Sequence, residues 1–146
     1  MTRIGYCLAV LLGALAIAAV PAAGASAATV ELRKTALGEV LVNSSGFTLF
    51  QFSIDSKRVD KCVTISGCME TWPPLLVSAT PTAGPGVNPK KLKTIALPGG
   101  GHQVTYANHP LYGYAGNSGP GETGYVGAFE FGGYWYATNA KGKAVK

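Results

Sequence analysis

The chain has 146 residues, a net charge of +5 and a hydrophobic share of 47%, with 20 glycines and 9 prolines. This length suits a single domain. The positive charges are mild and scattered and no nucleic-acid motif accompanies them, so we expect no nucleic-acid partner.

The first 27 residues have the order of a secretory signal peptide. Arg3 gives a positive start, residues 7–20 form an apolar run, and small residues lead to an Ala-Ser-Ala sequence that ends at Ala27. The apolar run is shorter than the roughly 20 residues that cross a bilayer, although a retained membrane anchor is the competing interpretation. We therefore expect cleavage near Ala27 and a mature domain, residues 28–146, that is secreted to the extracellular space or the cell envelope without a membrane span.

The mature sequence alternates short β-favouring runs, such as EVLVN, FTLFQF and HQVTY, with turn residues. Helical periodicity is absent, and short helical turns are expected only at Asn88-Pro89 and around residues 68–72. These features predict a mainly β fold, a single small antiparallel domain with at most short helical turns.

Cys62 and Cys68 are the two cysteines of the mature sequence. An even pair of cysteines in an exported protein usually forms a disulfide. A metal site would need further ligands, and the surrounding stretch KCVTISGCMETW contains no histidine. The pair therefore predicts a disulfide, and we expect no metal.

One short pattern occurs twice, as LFQFSID at 49–55 and as LYGYAGN at 111–117. An offset of 63 also places Trp72 on Trp135. The corresponding motif positions are Phe50 with Tyr112, Phe52 with Tyr114, and Asp55 with Asn117. The recurrence predicts two similar β-meander repeats, at about 29–77 and about 90–146, joined by a Pro- and Gly-rich linker at 78–89.

Each repeat is expected to contain a hairpin with a two-residue turn. A turn at Ala107-Asn108 pairs Tyr106 with His109 and Val104 with Leu111. A turn at Ser45-Gly46 pairs Val42 with Leu49 and Leu41 with Phe50.

Five stretches of the mature sequence resemble a bacterial family of secreted repeat proteins, or predicted lipoproteins, that carry Tyr-x-aromatic-x-x-Asp motifs and have no known function. The stretches are GEVLVNSSGFTLFQFSID, CVTISGCMETWPPL, GGGHQVTYANHPLYGYAGN, SGPGETG and GGYWYATNAKGK. The resemblance covers nearly the whole mature chain and implies an exported, envelope-associated protein. Three departures stand out. Phe50 replaces the first tyrosine, Asn117 replaces the second aspartate, and the lipid-attachment box of many members is missing, which favours a freely secreted form.

The repeated acid or amide follows a strand, where its side chain can bind the backbone of the next turn. Because Asp55 corresponds to Asn117, we interpret this position as structural, since a catalytic carboxylate would not tolerate the exchange. Glycine-rich stretches such as GPGETG lack the Lys-Ser/Thr of a phosphate loop, and we expect no cofactor. No catalytic residue is assigned. The candidate ligand contacts lie near turns and are Tyr106, His109 and Tyr125.

The sequence thus predicts a non-enzymatic binding or structural module, with an envelope polymer or an extracellular protein as its partner. A dense aromatic cluster at 125–136 is expected to be mostly core, with some rings that face outward to stack on sugars or peptides. Two alternatives remain open. The first is a secreted enzyme inhibitor that presents the loop between Cys62 and Cys68, and the second is a hydrolase whose residues come together from distant positions.

Overall fold

The computed structural model describes residues 29–146, so the predicted signal peptide lies outside the described residues. The protein is mainly β, and all pairs of named strands are antiparallel, which confirms the predicted fold class. The strands are β1 (Val30–Thr35), β2 (Gly38–Asn43), β3 (Phe50–Phe52), β4 (Leu76–Val77), β5 (Leu92–Ala96), β6 (His102–Tyr106), β7 (His109–Pro110), β8 (Ala128–Glu130), β9 (Gly133–Thr138) and β10 (Ala144–Val145). The helical elements are α1 (Cys68–Thr71) and two 3₁₀ turns, Cys62–Thr64 and Pro89–Lys91.

Three sheets make up the fold of residues 29–146. One is the β1–β2 hairpin. The second has the order β10–β9–β3, with β8 also paired to β9, and the third has the order β4–β6–β5, with β7 also paired to β6. The two copies of the sequence motif meet between the four-stranded sheets, because Phe50 and Tyr112 exchange backbone hydrogen bonds of 2.8 and 3.0 Å.

An aliphatic core lies on one side of this contact. Each hairpin contributes alternate apolar residues, and burial of such side chains stabilises a fold by roughly 25 cal/mol for each Å² removed from water. The buried members are Val30, Leu41, Leu49, Val87, Leu92, Val104, Tyr106 and Leu111.

A second core is aromatic and joins the two motif copies. Phe52 stacks on Trp135 with ring centroids 4.0 Å apart, and Trp135 stacks on Trp72 at 4.2 Å with an angle of 2° between the planes. Tyr114 packs on Trp72 with ring centroids 4.6 Å apart and an angle of 40° between the planes. The tryptophan pair therefore contacts one ring from each motif copy, Phe52 on Trp135 and Tyr114 on Trp72.

Glu130 binds both tryptophans of this pair. The Trp72 indole N–H donates to Glu130 Oε2 at 2.8 Å, and the Trp135 indole N–H donates to the Glu130 backbone carbonyl at 3.3 Å. The indole donors are thus satisfied inside the fold, as buried polar groups require.

The Cys62–Cys68 disulfide is present, as predicted, and both cysteines are buried in the aromatic core.

The second hairpin has the predicted turn. Ala107 and Asn108 have φ of 49° and 71°, the left-handed conformation that a two-residue hairpin turn requires. Tyr106 pairs with His109, and the Leu111 amide donates to the Val104 carbonyl at 3.0 Å.

The first hairpin differs from the prediction by one residue. Val42 lies opposite Thr48, and the Leu49 amide donates to the Leu41 carbonyl at 2.9 Å, so the predicted pairings of Val42 with Leu49 and of Leu41 with Phe50 are both wrong. The cause is Asn43, whose Oδ1 accepts hydrogen bonds from the Ser45 and Phe47 amides at 3.0 Å each. This side chain organises a three-residue loop in place of the two-residue turn.

Both predicted helical turns are present. Asn88 caps the 3₁₀ turn that starts at Pro89, because its Oδ1 accepts from the Lys90 amide at 3.0 Å.

The segment interpreted as a linker packs along β1, where the Val30 amide donates to the Thr82 carbonyl at 3.1 Å. Its Val87 is buried in the aliphatic core.

Candidate functional site

The motif aspartate ties the two motif copies together. Asp55 follows β3 and closes the loop after it, because its Oδ1 accepts from the Lys61 amide at 2.8 Å. Its Oδ2 accepts from the Tyr112 hydroxyl at 2.8 Å. The acid of the first copy is therefore bound by the tyrosine of the second.

The reverse bond does not exist at Asn117. Phe50, the residue that corresponds to Tyr112, has no hydroxyl to donate, and Asn117 Oδ1 accepts from the Gly119 amide at 3.5 Å. The contact that joins Tyr112 to Asp55 thus has no counterpart between Phe50 and Asn117. Sequence reasoning missed this relation because it compared the copies with each other and did not consider contacts between them.

Burial changes the acid–base properties of the Asp55 carboxyl. Removal of the Asp55 carboxyl from water raises its pKa from 3.8 to about 7, although the hydrogen bonds from Lys61 and Tyr112 oppose the change. The nearby Asp60 carboxylate raises it further. Burial and the same two acids also raise the pKa of the Tyr112 hydroxyl. A carboxyl that titrates near neutral pH is a common sign of a functional site.

Asp60 is more deeply buried than Asp55. Its Oδ1 accepts from the Val63 amide at 2.9 Å, whereas its Oδ2 has no hydrogen-bond partner. Asp60 also lines a cleft of about 270 Å³, together with Arg58 and mostly apolar residues that include Ile95 and Leu97. The loop after β3 therefore places a carboxylate between the protein interior and a surface cleft.

The three predicted ligand contacts do not form one site. Tyr106 is fully buried, accepts from the Asn88 amide at 3.1 Å and donates to the Ala140 carbonyl at 2.7 Å, which is the environment of a packing residue. His109 is exposed at the hairpin, and partial burial lowers its pKa. Tyr125 packs on Tyr114 in the aromatic core, with centroids 3.8 Å apart.

Other rings form an exposed surface on β8 and β9, which we call the aromatic face (Phe129, Tyr134 and Tyr136). Phe129 is 62% and Tyr134 47% exposed, and these two residues pair across the strands with centroids 4.9 Å apart. Tyr136 lies 5.7 Å from Tyr134, and the Lys146 ammonium is 5.5 Å from the Tyr136 ring centroid. Strand alternation turns Trp135 inward and these neighbouring tyrosines outward.

Within residues 29–146, no three His, Cys, Asp or Glu side chains come together as a metal-binding group. His102 begins β6, while His109 lies in β7 and pairs with Tyr106. The helices of this part of the chain are also too short or too polar to span a membrane.

Comparison of the chain with protein-family models, with curated proteins and with solved structures finds no match. The resemblance to the family of secreted repeat proteins therefore stays a prediction. The geometry of the described residues is what supports a function.

Proposed function

We propose that this protein is an exported, non-enzymatic binding module of the cell envelope or extracellular space, and that the aromatic face holds its ligand. The exposure of Phe129 and Tyr134 on one face of a sheet is the observation that carries the proposal. A contiguous exposed apolar surface on a small protein commonly marks an interaction site.

The chemistry of the aromatic face suits a polymer that presents both apolar and polar groups. Tyrosine offers a flat apolar ring and a hydroxyl that remains in water, a combination that is enriched at binding surfaces. Lys146 beside Tyr136 adds a positive charge, and the predicted mature chain, which lacks Arg3, carries +4 (5 − 1). These features favour an anionic envelope polymer as the ligand.

The arrangement around Asp55 favours a structural use over catalysis. Both carboxyl oxygens accept hydrogen bonds from within the fold, and the Tyr112 hydroxyl is directed at one of them. A general base needs an oxygen within reach of a substrate proton. The raised pKa of Asp55 therefore has a sufficient cause in its burial between the motif copies.

One observation favours the inhibitor as a second candidate. Thr64, Ser66 and Gly67 are exposed in a loop that is closed at both ends by buried cysteines. A braced loop loses little conformational entropy when it binds an enzyme.

The test is co-sedimentation of the purified protein with insoluble bacterial peptidoglycan that retains its anionic polymers. We expect Phe129→Ala/Tyr134→Ala to raise the Kd, obtained from the bound fraction over a range of polymer concentrations, by about tenfold, the change expected when about 1.4 kcal/mol of binding energy is removed. Leu76→Ala is the matched control, because Leu76 is 51% exposed but lies on a different sheet.

Retention of the double variant at the level of the parent protein, with unchanged melting curves, would contradict the proposal. Loss of binding in Thr64→Ala/Ser66→Ala, with the aromatic face intact, would move the polymer contact to the disulfide loop and contradict the assignment to the aromatic face.

A further inference from the structure

The chain contains two aspartates, Asp55 and Asp60, and both face one hydroxyl group. The Tyr112 hydroxyl donates to Asp55 Oδ2 at 2.8 Å, and the Asp60 side chain faces the same hydroxyl. A tyrosine hydroxyl has one proton to donate, although its oxygen can also accept. It can therefore bind only one of the two carboxylates at a time, and in this structure it binds Asp55.

Both carboxylates are held in place by a backbone amide. Asp55 Oδ1 accepts from the Lys61 amide at 2.8 Å, and Asp60 Oδ1 accepts from the Val63 amide at 2.9 Å. Asp60 is only 5% exposed, so its side chain lies inside the fold. Each acid is therefore fixed by one oxygen, and its other oxygen is left for the Tyr112 hydroxyl.

The loop that carries both acids (residues 53–61) attaches the first motif copy to the second hairpin. The Arg58 amide donates to the Asn108 carbonyl at 2.8 Å, and the Arg58 guanidinium donates to the Thr94 carbonyl at 3.2 Å. Arg58 has a φ of 58°, a left-handed conformation that costs free energy in a residue with a side chain. Tyr112 follows β7 of the same hairpin, so the partner of its hydroxyl determines how firmly this loop is attached.

The environment of Asp55 favours the uptake of one proton. Burial, and to a smaller extent the Asp60 carboxylate, raise the pKa of Asp55 to about 7. The hydrogen bonds from the Lys61 amide and the Tyr112 hydroxyl oppose this change, as does the charge of Lys61. The Arg58 guanidinium is bound to β5 instead. Asp55 therefore takes a proton from solvent as the pH falls through neutrality.

Protonation changes the Asp55 side chain from an acceptor into a donor. Its new O–H can donate to the Tyr112 oxygen, and the Tyr112 proton is then released to bind the Asp60 carboxylate. We propose that these three side chains form a proton-controlled clasp, in which protonation of Asp55 turns the Tyr112 hydroxyl to Asp60. The loop is then attached to the second hairpin through Tyr112 by two hydrogen bonds in place of one. The only covalent change is the O–H bond that Asp55 forms with a proton from solvent.

The experiment is carboxyl-carbon NMR of protein isotopically labelled at aspartate, titrated between about pH 5 and about pH 8. Because the chain has two aspartates, the spectrum has two side-chain carboxyl resonances to follow. We expect the Asp55 resonance to titrate with a midpoint of about 7. The Asp60 resonance should shift with the same midpoint, because Asp60 gains the Tyr112 proton when Asp55 is protonated.

Tyr112→Phe removes the hydroxyl at nearly constant shape. Asp55 should still titrate, with a higher pKa because the hydrogen bond that lowers it is lost. The Asp60 resonance should lose most of its shift, because no hydroxyl is left to change partners. Glu70→Gln is the control, because Glu70 is an exposed acid on α1, and both resonances should behave in it as in the parent protein.

Amide hydrogen exchange measures how firmly the loop is attached. After correction for the intrinsic effect of pH, the Lys61 and Val63 amides should exchange about tenfold more slowly at about pH 5 than at about pH 8, the protection that one hydrogen bond to a charged group adds. Asp55→Asn carries an N–H that can donate to Tyr112 as the protonated acid does. This variant should therefore keep the slow exchange at both pH values.

The proposal is overturned if the Asp60 resonance shifts equally in Tyr112→Phe, because the shift would then reflect the charge of Asp55 alone. It is also overturned if Asp55 stays ionised down to about pH 5. Exchange in Asp55→Asn that follows pH as in the parent protein would likewise contradict it.

Discussion

Asp55 is held by two donors, the Lys61 amide and the Tyr112 hydroxyl. Asn117 occupies the corresponding position of the second copy, but Phe50 gives it no hydroxyl to accept from. A turn cap needs one acceptor atom, and Asn provides this as well as Asp. The second acceptor atom of Asp55 connects the two copies, so the acid and the amide are equivalent as caps but not as contacts between repeats.

The raised pKa of Asp55 makes stability depend on pH. The native carboxyl binds a proton below about pH 7, whereas the unfolded one does so only below its ordinary value of 3.8. Between these values the native state holds the extra proton, so the free energy of unfolding rises as the pH falls from about 7 toward about 4. At about 1.4 kcal/mol per pKa unit the upper bound is about 4 kcal/mol. Solvent beside the partly exposed carboxyl reduces this to about 1–2 kcal/mol.

Urea unfolding between pH 5 and 8 measures this dependence. Asp55→Asn is the matched variant, because its amide keeps the cap on Lys61 and cannot titrate. We expect the stability of the variant to change less over this range than that of the parent protein. Parallel profiles for the two proteins would show that Asp55 does not cause the dependence.

At the level of elements, local chemistry decided which turns the sequence could predict. Asn108 readily adopts the left-handed conformation, so the position of the second hairpin turn follows from its own two residues. The loop of the first hairpin depends on the Asn43 side chain, which reaches the Phe47 amide and lengthens the loop by one residue. A side-chain bond of this kind competes with the regular turn and is not visible in an apolar–polar pattern.

The last loop of the chain packs on the second hairpin through Gly142. A Cβ at this position would meet Ala107 Cβ at the hairpin turn, and the residue has a φ of +84°. Gly99 has a similar φ of +86° but open space around it. Gly142→Ala should therefore cost about 1–3 kcal/mol more than Gly99→Ala, because only the first adds a clash to the same backbone strain. Chemical denaturation of both variants measures the difference. Equal decreases in the free energy of unfolding would show that the loop containing Gly142 shifts to relieve the clash without further destabilisation.

For the whole molecule, the sequence pattern was sufficient for the fold class and the disulfide but not for the contacts between distant parts. The alternation in YWYA at 134–137 predicts that neighbouring rings face opposite sides of a strand, but not which side is buried. That choice depends on Trp72, which is 63 positions from Trp135 and stacks on it. The bond from the Tyr112 hydroxyl to Asp55 was equally unpredictable, since the two residues are 57 positions apart in the sequence.

The stacked tryptophans should make the two halves of the chain unfold together. Trp72 and Trp135 lie 4.2 Å apart with nearly parallel planes, and both are fully buried. Replacement of either by Leu should cost about 2–4 kcal/mol, because each leaves a cavity between rings contributed by both motif copies. A double-mutant cycle should give a coupling energy of about 0.5–1.5 kcal/mol, the range for aromatic pairs.

Denaturant unfolding followed by tryptophan fluorescence and by far-ultraviolet circular dichroism measures both the coupling and the cooperativity of the parent protein. Because Trp135 lies in β9, which pairs with β3, and stacks on Trp72 at the end of α1, the two signals should change in a single coincident transition. Coupling near zero, or a fluorescence transition that precedes the loss of β structure, would mean that the aromatic core unfolds separately from the sheets and that the stack only fills space.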